Sequence, residues 1–430
     1  MHQSQTREKP PGYRWVVFCL LAVGYLLVYF HRLCPAVVAL DMQADLQTGG
    51  ALLGFLAAAY FYPYALMQLP SGLLSDSWGP RKTITVFFAL AGTASIFLGM
   101  VESTGMAILA RIMVGLGVAM LFVPTMKVMT SWFKTEEFAR MAGILMAVGG
   151  LGAYAASRPL AWLSEKIGWR GSFTAIGVAT LFVAAAIWFL VRNTPQEMGL
   201  AAVNQPDRNN PIKAEAIGLV QGMKMVLSSG PFWLLAAWLF FSFSIFFSFG
   251  GLWGGPFLMH VYGLSKAEAG NILGMLALGM IIGSPFSSWL SDKVFRSRKK
   301  VIVLASIVTL CLTIPLAFFP GAMNQPALYL LCFSLGIFNS SVVVVAFTTA
   351  KELFPVEIAG TSVGLVNFFP FLGGAVAPPL LGAILEAQGK IASGYSTEAY
   401  SKAFLLYFLS ALIALGAACF ITETMKKISD

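Results

Sequence analysis

The sequence predicts an all-α membrane protein with twelve transmembrane helices in two six-helix pseudo-repeats. Of its 430 residues, 58% are hydrophobic and 11% are charged, whereas soluble proteins are roughly half apolar and about a quarter charged. Twelve apolar runs are long enough to cross a bilayer, which takes roughly 20 helical residues. The runs are continuously apolar. This indicates helices, because the strands of a membrane barrel alternate between polar and apolar side chains.

The twelve predicted helices fall into two groups of six. A polar connection at 193–229, with its most polar part at 204–211, divides them. We therefore expect an N-terminal bundle over 1–192, a cytoplasmic central linker over 193–229 and a C-terminal bundle over 230–430. The predicted helices span 15–39, 51–73, 83–101, 106–130, 140–163, 170–192, 230–258, 267–289, 301–320, 326–350, 359–385 and 402–423.

Two pairs of segments repeat between the halves. The stretch GLLSDSWGPRK at 72–82 is echoed by SWLSDKVFRSRK at 288–299, which lies 216 residues later. Likewise 143–160 parallels 364–380 at an offset of 220. Such internal similarity indicates a duplicated unit. Parallel halves with a binding site between them at mid-membrane depth are typical of transporters.

Lysine and arginine residues indicate the orientation of the helices. With the amino terminus placed inside, the inner segments hold 19 of them, including Arg7, Lys9, Lys426 and Lys427, and the outer segments hold five. Because cytoplasmic loops carry the excess of Lys and Arg, we expect both termini in the cytoplasm. The first apolar run is too long for a cleaved signal peptide. We expect that helix to stay in a cell membrane, such as the inner membrane of a bacterium.

The composition excludes several other classes of protein. The net charge is +9, but the cations flank apolar runs and do not form the solvated cluster that nucleic-acid binding needs. The five cysteines have no CxxC spacing, so neither a disulfide framework nor a metal site is expected. No catalytic constellation of His, Asp, Glu or a nucleophile suggests an enzyme. We expect no cofactor.

Motifs in the first half resemble a known family. The loop after the second helix fits the pattern G-x-L-x-D-x-x-G-x-R-K through Gly72, Leu74, Asp76, Gly79, Arg81 and Lys82. The fourth helix fits R-x-x-x-G-x-G through Arg111, Gly115 and Gly117. On these residues the sequence resembles the major facilitator superfamily. The resemblance implies transport by alternating access, with gating or structural roles for Asp76, Arg81, Lys82, Arg111 and, at the weaker echo, Asp292.

The loop motif also has a physical interpretation. A carboxylate at a helix end, such as Asp76, is attracted to the amino terminus of a neighbouring helix. That contact can hold one conformation closed. The alternative is that Asp76, Arg81 and Lys82 only fix the topology of a short cytoplasmic turn.

The first and fourth helices resemble particular branches of the superfamily. The stretches YFHRLCPAVVAL at 29–40 and KVMTSWF at 127–133 are similar to the anion:cation symporter and organophosphate permease branches. Acidic residues often stand in those relatives where this chain has His31 and Val118. The usual carboxylates are therefore not there to carry a proton.

Four ionisable residues are predicted inside the membrane, and all are cations: Arg32, Arg111, Lys127 and Arg158. A charge at bilayer depth costs at least about 2.5–3.5 kcal/mol, so it normally faces a cavity or a partner. No Asp or Glu lies well inside the predicted helices. An anionic substrate would be the simplest partner for these cations.

Candidate substrate-binding residues follow from the polar faces of the predicted helices. In the first helix Tyr25, Tyr29 and Arg32 share one face, because they are spaced at i, i+4 and i+7. The full set of candidates is Arg32, Tyr29, Tyr64, Lys127, Arg158, Asn271, Asn339 and Asn367. Lys127 and Arg158 can instead reach an interface, and the three asparagines can instead bond between helices. The phenylalanine run 240–249 is interpreted as a packing wall.

His31 is the candidate proton-coupling residue, because histidine titrates near physiological pH. The adjacent Arg32 opposes its protonation, and a bound anion would remove that opposition. The alternative is a histidine that only caps the outer end of the first helix.

The sequence therefore predicts a secondary transporter that carries a small organic anion, a carboxylate or a phosphorylated metabolite, inward with protons. An exchanger of one anion for another is the alternative that needs no protonatable carboxylate. A drug or cation exporter and a non-transporting sensor on the same fold also remain open. The expected partners are the anionic substrate, protons or a counter-anion, and the lipid bilayer, and the chain is expected to be a monomer.

Overall fold

The computed structural model describes residues 12–201, 203, 219–355, 358–391 and 394–425. Its described part is helical apart from turns and one isolated β-bridge between Ile391 and Gly394. Twelve of its segments are long and apolar enough to cross a membrane, one of them bent. The predicted fold class is therefore confirmed. The predicted linker residues 204–211, and Arg7, Lys9, Lys426 and Lys427, lie outside the described residues.

The twelve segments are labelled α1 to α12. Between α6 and α7 the described chain forms the 3-10 turn Pro195–Met198 and the helix Leu219–Leu227. The bounds are α1 Tyr13–Leu33 with its continuation Pro35–Asp45; α2 Gly50–Leu66 and Pro70–Ser77; α3 Pro80–Met100; α4 Thr104–Trp132; α5 Thr135–Ala155 with the start of Arg158–Leu190; α6 the rest of Arg158–Leu190; α7 Gly230–Tyr262; α8 Lys266–Val294; α9 Arg298–Phe318; α10 Gln325–Glu352; α11 Ala359–Ala387; and α12 Thr397–Phe420.

The first helix extends beyond its predicted end at residue 39. It is interrupted at Cys34, because Pro35 has no amide hydrogen to donate to the helix, and it continues to Asp45. The polar residues that follow position 40 hid this continuation, since they look like the end of a membrane span. Asp41 and Asp45 lie in this continuation, beyond the apolar part of the helix.

Gly168 turns the chain between α5 and α6. Its φ of 71° and ψ of 168° are not helical, and a positive φ suits glycine because it has no Cβ. Next to the turn, Trp169 Nε1 donates to Asp45 Oδ2 at 2.8 Å, at the end of the α1 continuation. At the other end of α6, the Leu190 carbonyl accepts from the Tyr13 hydroxyl at the start of α1. The run Arg158–Leu190 therefore belongs to two crossings, as predicted.

These contacts define two faces of the molecule. The terminal face carries the start of α1 with Tyr13, the end of α6 with Leu190, and the start of α9 with Arg298. The far face carries the end of the α1 continuation with Asp45 and the start of α8 with Lys266. Glu423, which follows α12, accepts from the Arg298 amide at 3.0 Å, so α12 also ends at the terminal face.

Helix packing repeats between the two halves. In the first half α1 packs along α5 and α3 packs along α6, and in the second half α7 packs along α11 and α9 along α12. Each second-half pair follows its counterpart by six helices, as a duplicated six-helix unit would. The halves meet where α2 packs on α11 and α5 packs on α8.

The far face is closed by backbone-to-backbone contact between the halves. A Cβ on Gly54 of α2 would overlap the Pro378 carbonyl oxygen of α11, and a Cβ on Gly382 would overlap the Gly50 carbonyl oxygen. The helices can approach this closely only because glycine has no side chain. At the far face, the two halves therefore touch with no room for a solute.

We predict that Gly54→Val will weaken closure of the far face. Overpacking of this kind costs roughly 1–3 kcal/mol, enough for about a tenfold rise in the population of far-face-open molecules. The measurement is the maleimide labelling rate of Thr48→Cys, a position that is buried at the far face, with the parent lacking that cysteine as background.

Gly72→Val is the matched control, because a Cβ at Gly72, on the same helix, would meet no atom within 4 Å. It should label at the parent rate. Equal labelling of Gly54→Val and Gly72→Val would show that close packing of α2 on α11 does not hold the far face closed.

Candidate functional site

A cavity lies between the two halves. It continues into a wider vestibule between α5, α8 and α10, and both share Met146, Met280 and Phe347 in their linings. The vestibule also contains Arg140 and Lys351, near the terminal face. The cavity is lined by Tyr25, Tyr29, Arg32, Tyr64, Phe122, Met146, Phe243, Phe246, Phe247, Met280, Ser284, Ser340, Val343, Val344, Phe347, Asn367, Pro370 and Phe371.

Arg32 is the one cation in the described lining of this cavity, and its side chain is only 3% exposed. Its guanidinium carbon lies 4.4 Å from the ring centre of Tyr29, 4.8 Å from that of Tyr64 and 5.1 Å from that of Phe371. Each such cation–π contact contributes roughly 0.5–2 kcal/mol. The rings thus hold the charge in place without neutralising it.

No carboxylate of the described chain pairs with Arg32. Its Nε is buried without a hydrogen-bond partner there. A buried donor that stays unpaired costs about 1–3 kcal/mol, and more when it is charged. An acceptor with negative charge in the cavity would satisfy it.

The first-helix stripe predicted from spacing faces this cavity. Tyr25, Tyr29 and Arg32 all line it, and Tyr64 approaches them from α2. The hydroxyl of Tyr25 donates to Met146 Sδ at 3.5 Å, a weak interaction. The predicted Arg32, Tyr29 and Tyr64 are therefore brought together on one wall.

Two of the predicted asparagines lie at or beside the cavity. Asn367 lines it and donates through Nδ2 to Gln68 Oε1 at 2.7 Å, which joins α11 to α2. Asn339 is 1% exposed in the π turn Gly336–Ser340, and its Oδ1 and Nδ2 have no partner in the described chain. Its neighbour Ser340, and not Asn339, is in the lining. A role for Asn339 in substrate binding stays a prediction.

Lys127 and Arg158 do not line the cavity. Lys127 Nζ lies 2.5 Å from Asp76 Oδ1 and donates to the Ser75 carbonyl at 3.1 Å, because its long side chain reaches towards the terminal face. Arg158 Nη1 donates to Asn271 Oδ1 at 2.8 Å, across the contact of the two halves. In this conformation Lys127, Arg158 and Asn271 therefore bind other protein groups, and their contact with substrate stays a prediction.

His31 and Arg111 lie behind Arg32, within the first half. Arg111 is 1% exposed and donates through Nη1 to the His31 carbonyl at 2.8 Å. His31 Nε2 lies 3.1 Å from Thr180 Oγ1. Since the Thr180 hydroxyl donates to the Ile176 carbonyl at 2.8 Å, it accepts from His31, which is therefore the Nε2–H tautomer here. Neither residue lines the cavity.

The loop-motif residues lie at the terminal face. Asp76, whose side chain is 71% exposed, pairs with Lys127, while Arg81 stacks 4.7 Å from the ring centre of Trp188 and Lys82 is exposed. These contacts all stay within the first half. In this conformation the ion pair of Asp76 and the ring contact of Arg81 therefore do not join the two halves.

The echo of the motif in the second half has its own ion-pair network. Arg298 pairs with Asp292 and, at 3.1 Å, with Glu352 at the end of α10. Asp292 thus has a cationic partner in its own half, as Asp76 does. At the far face, by contrast, Asp41 pairs with Lys266 and the Ala51 amide donates to Glu386 at 3.0 Å, both across the halves.

Sequence reasoning missed the aromatic wall that the second half contributes. Phe243, Phe246 and Phe247 come from the run interpreted as packing, and Phe371 and Phe347 come from α11 and α10. The rings of Tyr64 and Phe371 lie 4.3 Å apart across the halves. An apolar residue that faces a cavity has the same helical spacing as one that faces the core, so no sequence signal separates the two.

Comparison with known proteins identifies the family to which this fold belongs. The model of the Major Facilitator Superfamily matches residues 21–378, which is most of the chain. The protein belongs to the major facilitator superfamily. This membership makes it a multi-pass membrane transporter, and the superfamily predicted from the loop and fourth-helix motifs is confirmed.

The relatives and the structural neighbours cover nearly the whole chain. A D-galactonate transporter of Escherichia coli O6:H1 is 23% identical over 96% of this chain and 96% of its own. The "Probable hexose phosphate transport protein" of Chlamydia pneumoniae is 22% identical over 95% of this chain and 93% of its own. A bacterial homologue of the human lysosomal transporter Spinster, inward-facing and unoccupied, matches with a TM-score of 0.76 at 18% identity, over 96% of this chain and 97% of its own.

We predict that reversing one charge of the Asp41–Lys266 pair will open the far face and that exchanging both will close it again. Lys266→Asp places two carboxylates together, and Asp41→Lys with Lys266→Asp restores an ion pair. Because the pair is partly buried, we expect Lys266→Asp to raise the labelling rate about threefold to tenfold and the double exchange to lower it by a similar factor. The measurement is the labelling rate of Ser157→Cys, which is buried at the contact of α5 with α8.

Lys402→Asp is the matched control, because Lys402 pairs at 2.9 Å with Glu398 of its own helix. It should leave the labelling rate unchanged. Failure of the double exchange to restore slow labelling would show that the attraction between Asp41 and Lys266 is not what closes this edge.

Proposed function

We propose that the protein moves a small organic anion across the membrane by alternating access, with the anion bound at Arg32. The observation that most directly supports this proposal is that the described cavity lining contains one buried cation and no carboxylate to neutralise it. Tyr29 and Tyr64 stack on that cation and Asn367 lines the same cavity, and all three have groups that bond to anionic oxygens. The relatives named for D-galactonate and hexose phosphate, both anions, support this proposal.

Neutralisation of Arg32 drives the conformational change in this proposal. A ligand shifts a two-state equilibrium only by binding one state better than the other. With no anion bound, occlusion would seal the Arg32 charge away from water at a high cost. With the anion bound, the pair can be enclosed, and the halves can rock until contacts such as Asp41–Lys266 separate.

The terminal face is the cytoplasmic face in this proposal, so both termini are cytoplasmic. The surplus of Lys and Arg at that face supports this orientation. The vestibule then opens to the cytoplasm, and Arg140 and Lys351 within it raise the local concentration of anions. We propose that the chain works as a monomer, since its cavity lies between its own halves.

The placement of His31 favours anion exchange over cotransport with protons. No Asp, Glu or His occurs in the described lining of the cavity, and His31, the predicted proton carrier, is fully buried behind it against Thr180. A proton on His31 would therefore lie outside the lining of the cavity that holds the substrate. A counter-anion binds at the same site. It can therefore return the carrier to its starting conformation without a proton.

We predict that Arg32→Gln will abolish anion uptake, because the one cation in the described lining of the cavity is lost. Arg32→Lys keeps the charge but loses the two-pronged geometry of the guanidinium, so uptake should fall about tenfold. Uptake into proteoliposomes is measured with labelled D-galactonate, glucose 6-phosphate and phenylacetate, and with tetraphenylphosphonium as a lipophilic cation.

Lys402→Gln, which removes a far-face cation outside the cavity, is the matched control and should transport at the parent rate. Transport of tetraphenylphosphonium alone would overturn the proposal in favour of a cation exporter. Anion uptake that survives Arg32→Gln would overturn the assignment of the site.

We predict that an anion loaded inside proteoliposomes will accelerate uptake of the same labelled anion at least about tenfold. A pH gradient without internal anion should drive no accumulation, and His31→Gln should exchange at the parent rate. Accumulation that is driven by the pH gradient and lost in His31→Gln would establish proton coupling instead.

A further inference from the structure

The charge of the cavity matches one negative charge on the substrate. The three other membrane-depth cations all bind protein groups: Lys127 binds Asp76, Arg158 binds Asn271, and Arg111 binds the His31 carbonyl. A phosphate monoester carries about 1.5–2 negative charges at pH 7. Its second charge would be enclosed without a partner, which costs several kcal/mol. A monocarboxylate is neutralised by Arg32 alone.

The hydrogen-bonding capacity of the cavity is small. Ser284 Oγ donates its hydrogen to the Met280 carbonyl at 3.0 Å, and Asn367 Nδ2 donates one of its two hydrogens to Gln68, so each keeps only part of its bonding capacity. Tyr29 and Tyr64 stack on Arg32 and are placed for the carboxylate end, and the Tyr25 hydroxyl donates to Met146. A sugar acid has a hydroxyl on nearly every carbon, and each buried hydroxyl left without a partner costs about 1–3 kcal/mol.

The second half presents an apolar wall close to the Arg32 charge. Phe247 and Phe371 lie 5.8 and 5.1 Å from its guanidinium carbon. Behind them the lining continues with Phe243, Phe246 and other apolar side chains of α7 and α10. Apolar surface that a substrate buries against this wall contributes roughly 25 cal/mol per Å², and aromatic rings pack especially well against rings.

We infer that the substrate is an amphipathic monocarboxylate, with its carboxylate at Arg32 and an apolar, ring-sized body against the phenylalanine wall. This inference rests on the proposed function and narrows it. It separates this chain from the relatives named for D-galactonate and hexose phosphate, with which it shares the fold. Phe243, which is 5% exposed and contributed by α7, is a specificity-determining residue of the apolar end.

The test is calorimetric titration of the purified full-length protein with four probes at up to millimolar concentration. Phenylacetate has the inferred chemistry, phenylacetamide lacks its charge, D-galactonate replaces its ring with hydroxyls, and glucose 6-phosphate adds a second charge. Phenylacetate should bind at least about tenfold more tightly than each of the others, because a mismatched charge or buried hydroxyl costs more than 1.4 kcal/mol. Arg32→Gln should abolish its binding.

Phe243→Ser tests the apolar end separately from the charge. It should weaken phenylacetate binding about tenfold, the usual cost of a lost hydrophobic contact in a pocket, and should not weaken binding of D-galactonate. Phe241→Ser is the matched control on the same helix, because Phe241 is outside the cavity lining; it should bind phenylacetate as the parent does.

The outcomes separate this inference from the proposed function. Tighter Arg32-dependent binding of D-galactonate or glucose 6-phosphate overturns the inference and leaves the proposed function standing. Equal binding of phenylacetamide and phenylacetate also overturns the inference. Binding of anions that Arg32→Gln does not change, or no binding of any anion, overturns the proposed function and the inference with it.

Discussion

The rest of the site depends on one constraint, the high free energy of a positive charge that is enclosed at membrane depth. Arg32 meets this constraint only in part, through aromatic rings that attract its charge and hold its position. Desolvation of an ion costs several kcal/mol even after such contacts. The vestibule lowers this cost, because it gives water and anions access to the cavity.

The two halves share a fold but divide the chemistry unequally. All four cations predicted at membrane depth belong to the first half, and the phenylalanine wall belongs to the second. Duplication explains the repeated packing of α1 on α5 and of α7 on α11. The side chains at the interface nevertheless differ between the halves, so that Arg32 and its tyrosines face a wall of phenylalanines.

The sequence predicted the fold almost completely, because length and hydrophobicity are local properties that the bilayer tests directly. It also predicted the Tyr25, Tyr29 and Arg32 stripe, since helical spacing decides which side chains share a face. It did not predict which partner each cation meets. Lys127 reaches Asp76 and Arg158 reaches Asn271 through contacts between helices that are far apart in sequence, and a single sequence contains no signal for such pairs.

Closure of the far face depends heavily on main-chain atoms, since Gly54 meets the Pro378 carbonyl and Gly382 meets the Gly50 carbonyl. Main-chain contacts do not change when the side chains of the cavity are replaced. The main-chain contacts that help to close the far face are thus separate from the side chains that line the cavity. A lineage with this architecture can evolve new substrates by replacing a few cavity residues, while the gate that makes transport vectorial is inherited unchanged.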